Sequence, residues 1–186
     1  MKGELKGLLK EIISITIGIL IALYINNWNE DRKDSNYITN ISASIHKELS
    51  ETREDIDKKI VQQRMLIDTL NFYRKDDQMS LDKVITKAKG IFIPSIRINS
   101  WKAIANSKIE LMDYSTVSTL ADIEEQKELL KIKSEKLLDY LFANYRKTGE
   151  EQKEFMQILM SEIISTETFL KESIDKIIKE GKSLEK

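Results

Sequence analysis

The only histidine, His46, lies between Ile45 and Lys47 in a charged stretch, with no Asp or Glu spaced as a metal motif requires. A lone imidazole in that setting reads as solvated or internally satisfied, not as a base or a ligand. Three acidic pairs come next: Asp76-Asp77, Glu124-Glu125 and Glu150-Glu151. Two carboxylates can divide acid and base roles only where an apolar pocket separates their pKa values, and no such pocket is evident. The pairs read as turn and helix-start chemistry. Neither a Gly-rich phosphate loop nor a nucleophile elbow is found. The chain has no cysteine, which excludes thiolate catalysis, disulfides and cysteine-ligated metals. No catalytic residue and no metal ligand is assigned, no cofactor is expected, and the chain reads as non-enzymatic.

Aromatic residues offer a second kind of chemistry. Trp101 follows the segment that holds the only proline, Pro94. With Phe92 and Tyr114 it is a candidate groove for a ligand or partner; the plainer reading makes it a large core residue that locks a short helix in place.

The 186 residues fit one domain with an appendage, 41% of them hydrophobic and 33% charged. Six glycines and one proline leave room for long uninterrupted helices, which argues against a many-turned β fold. Basic and acidic residues number 30 and 31 and are mixed throughout, so phosphate neutralisation and a nucleic-acid partner are not expected.

Eighteen uncharged residues run from Ile12 to Asn29, and their apolar heart, Ile12 to Ile25, is 14 residues long. A β-strand is one reading of Ile13 to Ile19, where apolar residues alternate, but the alternation then collapses and little else could pair with it. A cleaved signal peptide lacks its small-x-small site, because Leu20 lies two places before Ala22. A buried soluble helix would be apolar on every face, which a small bundle cannot cover. A membrane span gains from its flanks. Leu8 to Trp28 is 21 residues, about 31 Å of helix, with Lys10 able to snorkel and Tyr24 and Trp28 at interfacial depth. The expected organisation is a short leader over 1–10, a transmembrane helix over 11–29 and a soluble helical domain over 30–186.

Lys2, Lys6, Lys10 and the amino terminus in the ten-residue leader, against Arg32, Lys33 and Lys47 in the 20 residues after the span, lean slightly toward a cytoplasmic N-terminus and an extracytoplasmic domain. Ser14, Gly18, Ala22 and Asn26 recur every four residues, a small-to-polar stripe suited to association with another helix. Asn26, Asn27, Trp28, Asn29 and Glu30 form the membrane-interface motif, read either as simple headgroup-level polarity or as contacts to a neighbouring helix.

Gly18-Ile19-Leu20-Ile21-Ala22-Leu23, followed by Ile25-Asn26-Asn27-Trp28-Asn29-Glu30, resembles the hallmark of a family of bacterial single-span membrane proteins with no assigned activity. The resemblance covers about residues 11 to 33. It implies one short span, a helical soluble part and the bacterial inner membrane, and it implies no activity.

Beyond the span, Ile38, Ile41, Ile45, Leu49, Ile56, Ile60, Ile67 and Leu70 mark one face of a long amphipathic helix ending near Lys75. Bends are expected, if anywhere, at Asn26 to Asn29 or Asp34 to Asn36. Ser80 is the expected cap of a short helix over Leu81 to Lys89, which Gly90 ends. Ile91 to Ile98 alternates and either covers the bundle or adds an edge strand to a partner. Ser100 is the expected cap of a helix starting at Trp101.

Val117, Leu120, Ile123, Leu130, Leu137, Leu141 and Tyr145 face one way on a helix over 116–146. A capping box at Thr148 and Glu151 then opens the last helix, with Phe155, Leu159, Ile163, Leu170, Ile174 and Ile178 inward. Glu162 and Glu167 bar that helix from being a second span. The fold class is all-α, an antiparallel bundle of three or four long helices behind one N-terminal transmembrane helix. Partners are the lipid bilayer and either a protein partner or further copies of this chain. The function that fits is membrane-tethered scaffolding, with ligand sensing or an oligomerising toxin-like effector as the alternatives.

Overall fold

The computed structural model describes residues 2–184 and contains five α-helices, one 3₁₀ turn and no strand among them. They are α1 (Lys2–Phe72), α2 (Leu81–Lys87), α3 (Asn99–Ala105), α4 (Tyr114–Asn144) and α5 (Glu150–Leu184), with the 3₁₀ turn at Ile109–Leu111. The fold is all-α. Met1 of the leader lies outside the described residues, as do the side chains of Lys2 and Lys6 that carry the orientation argument. Two compact units divide at Ser42 and Ala43.

The first unit contains the apolar run. Asn26 to Asn29 and Asp34 to Asn36, the expected bend sites, are helical.

In the second unit, three long helices enclose the core. Tyr140 Oη donates to the Gln152 carbonyl at 3.2 Å, Lys133 pairs with Glu162 at 2.9 Å and Lys176 donates to Thr119 at 3.4 Å. Rising numbers on α4 meet falling numbers on α5, so the two form an antiparallel hairpin. Asp57 with Lys171, Gln63 with Glu167, and the Ile67 carbonyl with Gln157 give the same relation for α1 and α5. α1 and α4 therefore run parallel, and the chain must travel back along the bundle between them.

The extended segment 91–98 makes that return. Phe92, Ser95, Arg97 and Ser100 bond in turn to Gln63, Asp55, Thr52 and Glu48, so it runs antiparallel to α1. Extended chain advances about 3.3 Å per residue against about 1.5 Å in a helix. The five extended steps from Phe92 to Arg97 thus match the 11 helical steps from Thr52 to Gln63 beside them, and the strap takes the place of a fourth long helix.

Its alternation has the first of the two expected uses. Pro94, Ile96 and Ile98 are buried while Ser95, Arg97 and Asn99 are exposed. The strap's backbone N–H groups go to α1 side chains: Ser95 N donates to Asp55 Oδ2 at 2.7 Å and Arg97 N to Thr52 Oγ1 at 3.0 Å.

Several ends differ from expectation because tertiary partners replace local caps. Ser80 precedes α2 without capping it; its hydroxyl bonds to Asp82. Leu81 N and Asp82 N instead donate to the carbonyls of Lys147 and Tyr145 at 3.1 and 2.9 Å. The helix stops at Lys87, two residues before the expected end, and Lys89 rather than Gly90 takes the left-handed turn at φ +67°, its N–H donating to the Thr86 carbonyl at 3.1 Å while Gly90 N–H donates to that of Ile85 at 2.9 Å. α3 starts at Asn99 rather than Trp101, and Ser100 receives a cap instead of being one, its N–H and hydroxyl both donating to Glu48 at 3.1 Å. α4 starts at Tyr114 rather than at 116, capped by Asp113, which accepts from Thr116 N at 2.9 Å. At the start of α5 the Gln152 side chain lies over Gly149, its Oε1 only 2.1 Å from where a Cβ would stand.

The inward face of α5 keeps the expected Ile163, Leu170 and Ile174 and is rotated only at its ends, where Phe155, Leu159 and Ile178 give way to neighbouring residues. Met156, Met160, Ile163, Leu170, Ile174 and Ile177 are buried. Phe155 is 46% exposed and packs on Tyr140 with the rings tilted by 53° and their centroids 4.8 Å apart. On α4, Leu120, Ile123, Leu130 and Leu137 are buried as expected, while Tyr145 is exposed.

Candidate functional site

An α-helix satisfies its own backbone polar groups, so an apolar sequence can stand in lipid without unpaired N–H or C=O groups. From Ile12 to Ile25 every Ile and Leu side chain is exposed, from 50% at Ile13 to 59% at Leu20, and the most apolar window has no buried residue. The hydroxyl of Thr16 within this run donates to the Ile12 carbonyl at 2.8 Å and is satisfied within the helix. This one helix is long and apolar enough to cross a membrane.

Ser14, Gly18, Ala22 and Asn26 are exposed at helical spacing, so they share a side of this helix. A Cβ added at Gly18 would meet nothing within 4 Å. Asn26, Asn27, Trp28, Asn29 and Glu30 are helical and exposed, with Trp28 at 60%.

The three aromatic candidates occupy different settings. Trp101 is 3% exposed, and its indole N–H donates to Glu124 Oε2 at 2.9 Å, with Lys102 3.3 Å from the other oxygen. Phe92 is half-buried beneath the Lys59 ammonium, 5.3 Å from its ring centre. Tyr114 is 86% exposed at the start of α4. No hydrogen bond or ring contact joins the three among the described residues. His46 is half-buried on α1.

The acidic pairs do structural work. Asp76 Oδ1 accepts from Gln78 N at 2.9 Å in a turn, Glu124 holds Trp101, and Glu150 pairs with Arg74 at 2.9 Å. A surface cleft of about 280 Å³ is lined by Glu51, Glu54, Asp55, Lys58, Ser95 and Arg97. Its charges are matched internally, Lys58 to Glu54 at 2.6 Å and Arg97 to Glu51 at 2.8 Å. Among the described residues no cluster of three or more His, Cys, Asp or Glu side chains is placed to hold a metal ion.

Two buried polar features escape the sequence reading. Lys153 is fully buried, its ammonium donating to the Asp76 carbonyl at 2.8 Å and the Arg74 carbonyl at 3.5 Å. Desolvation lowers its pKa, against the pull of Asp76, Asp77 and Glu150. Gln63 and Glu167 meet in the core, Gln63 Nε2 donating to Glu167 Oε1 at 2.7 Å and to the Phe92 carbonyl at 2.9 Å. Burial pushes the Glu167 carboxyl up to about 7; the Gln63 hydrogen bond opposes that rise and Asp55 adds to it. The available signal was phase, since both residues fall within the apolar stripes, Gln63 between Ile56 and Leu70 and Glu167 between Ile163 and Leu170.

No protein-family model matches the chain, and no curated protein or solved structure matches it.

Proposed function

We propose that this protein is a membrane-anchored, non-enzymatic helical interaction protein, a subunit of a larger assembly in the bacterial inner membrane. The observation that carries the reading is the run Ile12 to Ile25, apolar on every side and exposed on every side. In water such a surface would be a strong aggregation site; in lipid it is matched to its surroundings. The helical domain then works by association outside the bilayer, with the N-terminus cytoplasmic and the stripe of Ser14, Gly18, Ala22 and Asn26 contributing to the interface within it.

Carbonate extraction tests the anchor. The protein is expected to stay with the membrane pellet and to keep its intact N-terminus. Release into the supernatant, or a mature form beginning after Ala22, would overturn the reading.

A further inference from the structure

The bonding capacity of the Gln63 and Glu167 pair can be counted atom by atom. A carboxamide has two N–H donors and one oxygen acceptor, and an ionised carboxylate has acceptors only. Both Gln63 donors are used, one on Glu167 Oε1 and one on the Phe92 carbonyl. That carbonyl can only accept, which fixes the amide with its nitrogen toward the strap and rules out the flipped assignment. Gln63 Oε1 and Glu167 Oε2 remain, both buried and both without a partner. Both side chains are 0% exposed. Two orphan acceptors facing an apolar core are costly, and no further protein donor reaches them. One proton would satisfy both.

We propose that Glu167 is carried as the neutral acid in the folded domain, its Oε2–H donated to Gln63 Oε1, and that this protonated pair is a latch holding the strap onto α1 and α5. Gln63 is the shared element, because the same amide nitrogen binds Glu167 and the strap carbonyl. Ionising Glu167 removes the only donor available to Gln63 Oε1 and leaves a charge in the core. Water would then enter at the strap, the non-helical element that the same amide holds.

Surrounding charges do not supply a counter-ion. Asp55 on α1 acts on Glu167 and disfavours its ionisation. Lys171, one turn along α5, is held by Asp57. Lys59 lies over the Phe92 ring and Arg97 on the strap pairs with Glu51. On the α4 side, Lys133 pairs with Glu162, while Lys176 of α5 reaches back to Thr119.

The direction of the effect follows from linkage. The carboxyl titrates near 4.5 when unfolded and near 7 when folded, so the folded state binds the proton more tightly. The stabilisation that Glu167 contributes is complete below about pH 4.5 and is lost as pH rises toward 7. Through this window the folded-to-unfolded ratio contributed by this group falls on the order of 100-fold.

The test compares the full-length protein with Glu167→Gln in detergent micelles, by chemical unfolding from pH 4.5 to 8. Glu167→Gln restores the missing donor without a proton, so its stability relative to wild type should rise with pH through that window. Infrared spectroscopy gives a readout independent of stability: wild type at pH 6 should show a protonated-carboxyl carbonyl band that Glu167→Gln lacks. Hydrogen-exchange protection at Ser95 and Arg97, taken relative to the base-catalysed intrinsic rate at each pH, should fall in wild type above neutral pH and stay level in the variant. A constant stability difference across the pH range, or no protonated-carboxyl band at pH 6, would overturn the proposal.

Discussion

The buried ammonium of Lys153 donates to the carbonyl of Asp76 at 2.8 Å, joining the first turn of α5 to the turn that ends α1, 77 residues away in sequence. A lysine is an unusual choice for a fully buried position, since its charge must be taken out of water. Here it meets the negative end of α1, where free carbonyls favour a cation. Arg74 adds surface pairs to Glu150 and Glu154 at 2.9 and 3.0 Å around the same corner. Replacing Lys153 by Met keeps most of the volume and removes the ammonium donor, leaving the Asp76 carbonyl with Met79 N alone at 3.1 Å. Urea unfolding should show a loss of about 1–3 kcal/mol, the worth of a hydrogen bond from a charged donor. Lys153→Ala should cost more, because it adds a cavity.

The strap depends on side chains of α1 for its backbone hydrogen bonds. Thr52 is 1% exposed and accepts from Arg97 N. Thr52→Val preserves shape and removes the acceptor. A destabilisation of about 1–3 kcal/mol is expected, together with faster hydrogen exchange at the Arg97 amide. Unchanged exchange at Arg97 would mean that the Thr52 hydroxyl does not hold the strap.

Trp101 fills the core beneath α3 while Trp28 is 60% exposed on the apolar helix. In vesicles, quenchers attached to lipid chains should reduce the fluorescence of Trp28 and spare Trp101. The Trp101→Phe protein should therefore remain quenchable and the Trp28→Phe protein should not. Trp101→Ala should cost about 3–5 kcal/mol of stability, as for other buried large aromatics.

Orientation is accessible because the chain has no cysteine of its own. Single cysteines replacing Lys6 and Lys136 should react oppositely with a membrane-impermeant thiol reagent on intact cells. Reaction at position 136 alone fits a cytoplasmic N-terminus. Reaction at position 6 alone reverses the topology.

Gly18→Ile and Ile17→Leu separate a specific helix interface from a merely apolar one. In lipid, helices gain little from burying apolar side chains against one another, and close backbone approach at small residues does more. Nothing within the chain meets a Cβ at Gly18, so the substitution should leave the fold intact. Crosslinking in the membrane should show weaker association for Gly18→Ile and unchanged association for Ile17→Leu. Equal behaviour would leave the helical domain as the interface.

The sequence by itself determined the long helices and the exposed apolar run. Those features depend on local spacing: apolar side chains at steps of three and four on α4, and an unbroken uncharged stretch from Ile12 to Asn29. The alternation that buries Ile96 and Ile98 was legible for the same reason, although not that the segment runs alone against α1. Tertiary structure decided what depends on residues far apart in the chain. Ser80 and Ser100 have the local chemistry of caps, yet the neighbouring carbonyls of Lys147 and Tyr145 and the carboxylate of Glu48 take over. Phe155 has the hydrophobicity of a core residue, and the rotation of α5 that buries Met156 and Met160 turns it outward. Lys153, Gln63 and Glu167 are polar letters that look solvated in the sequence. They are buried because the partners that make burial tolerable, the carbonyls of Asp76 and Phe92, arrive only when α1, the strap and α5 come together.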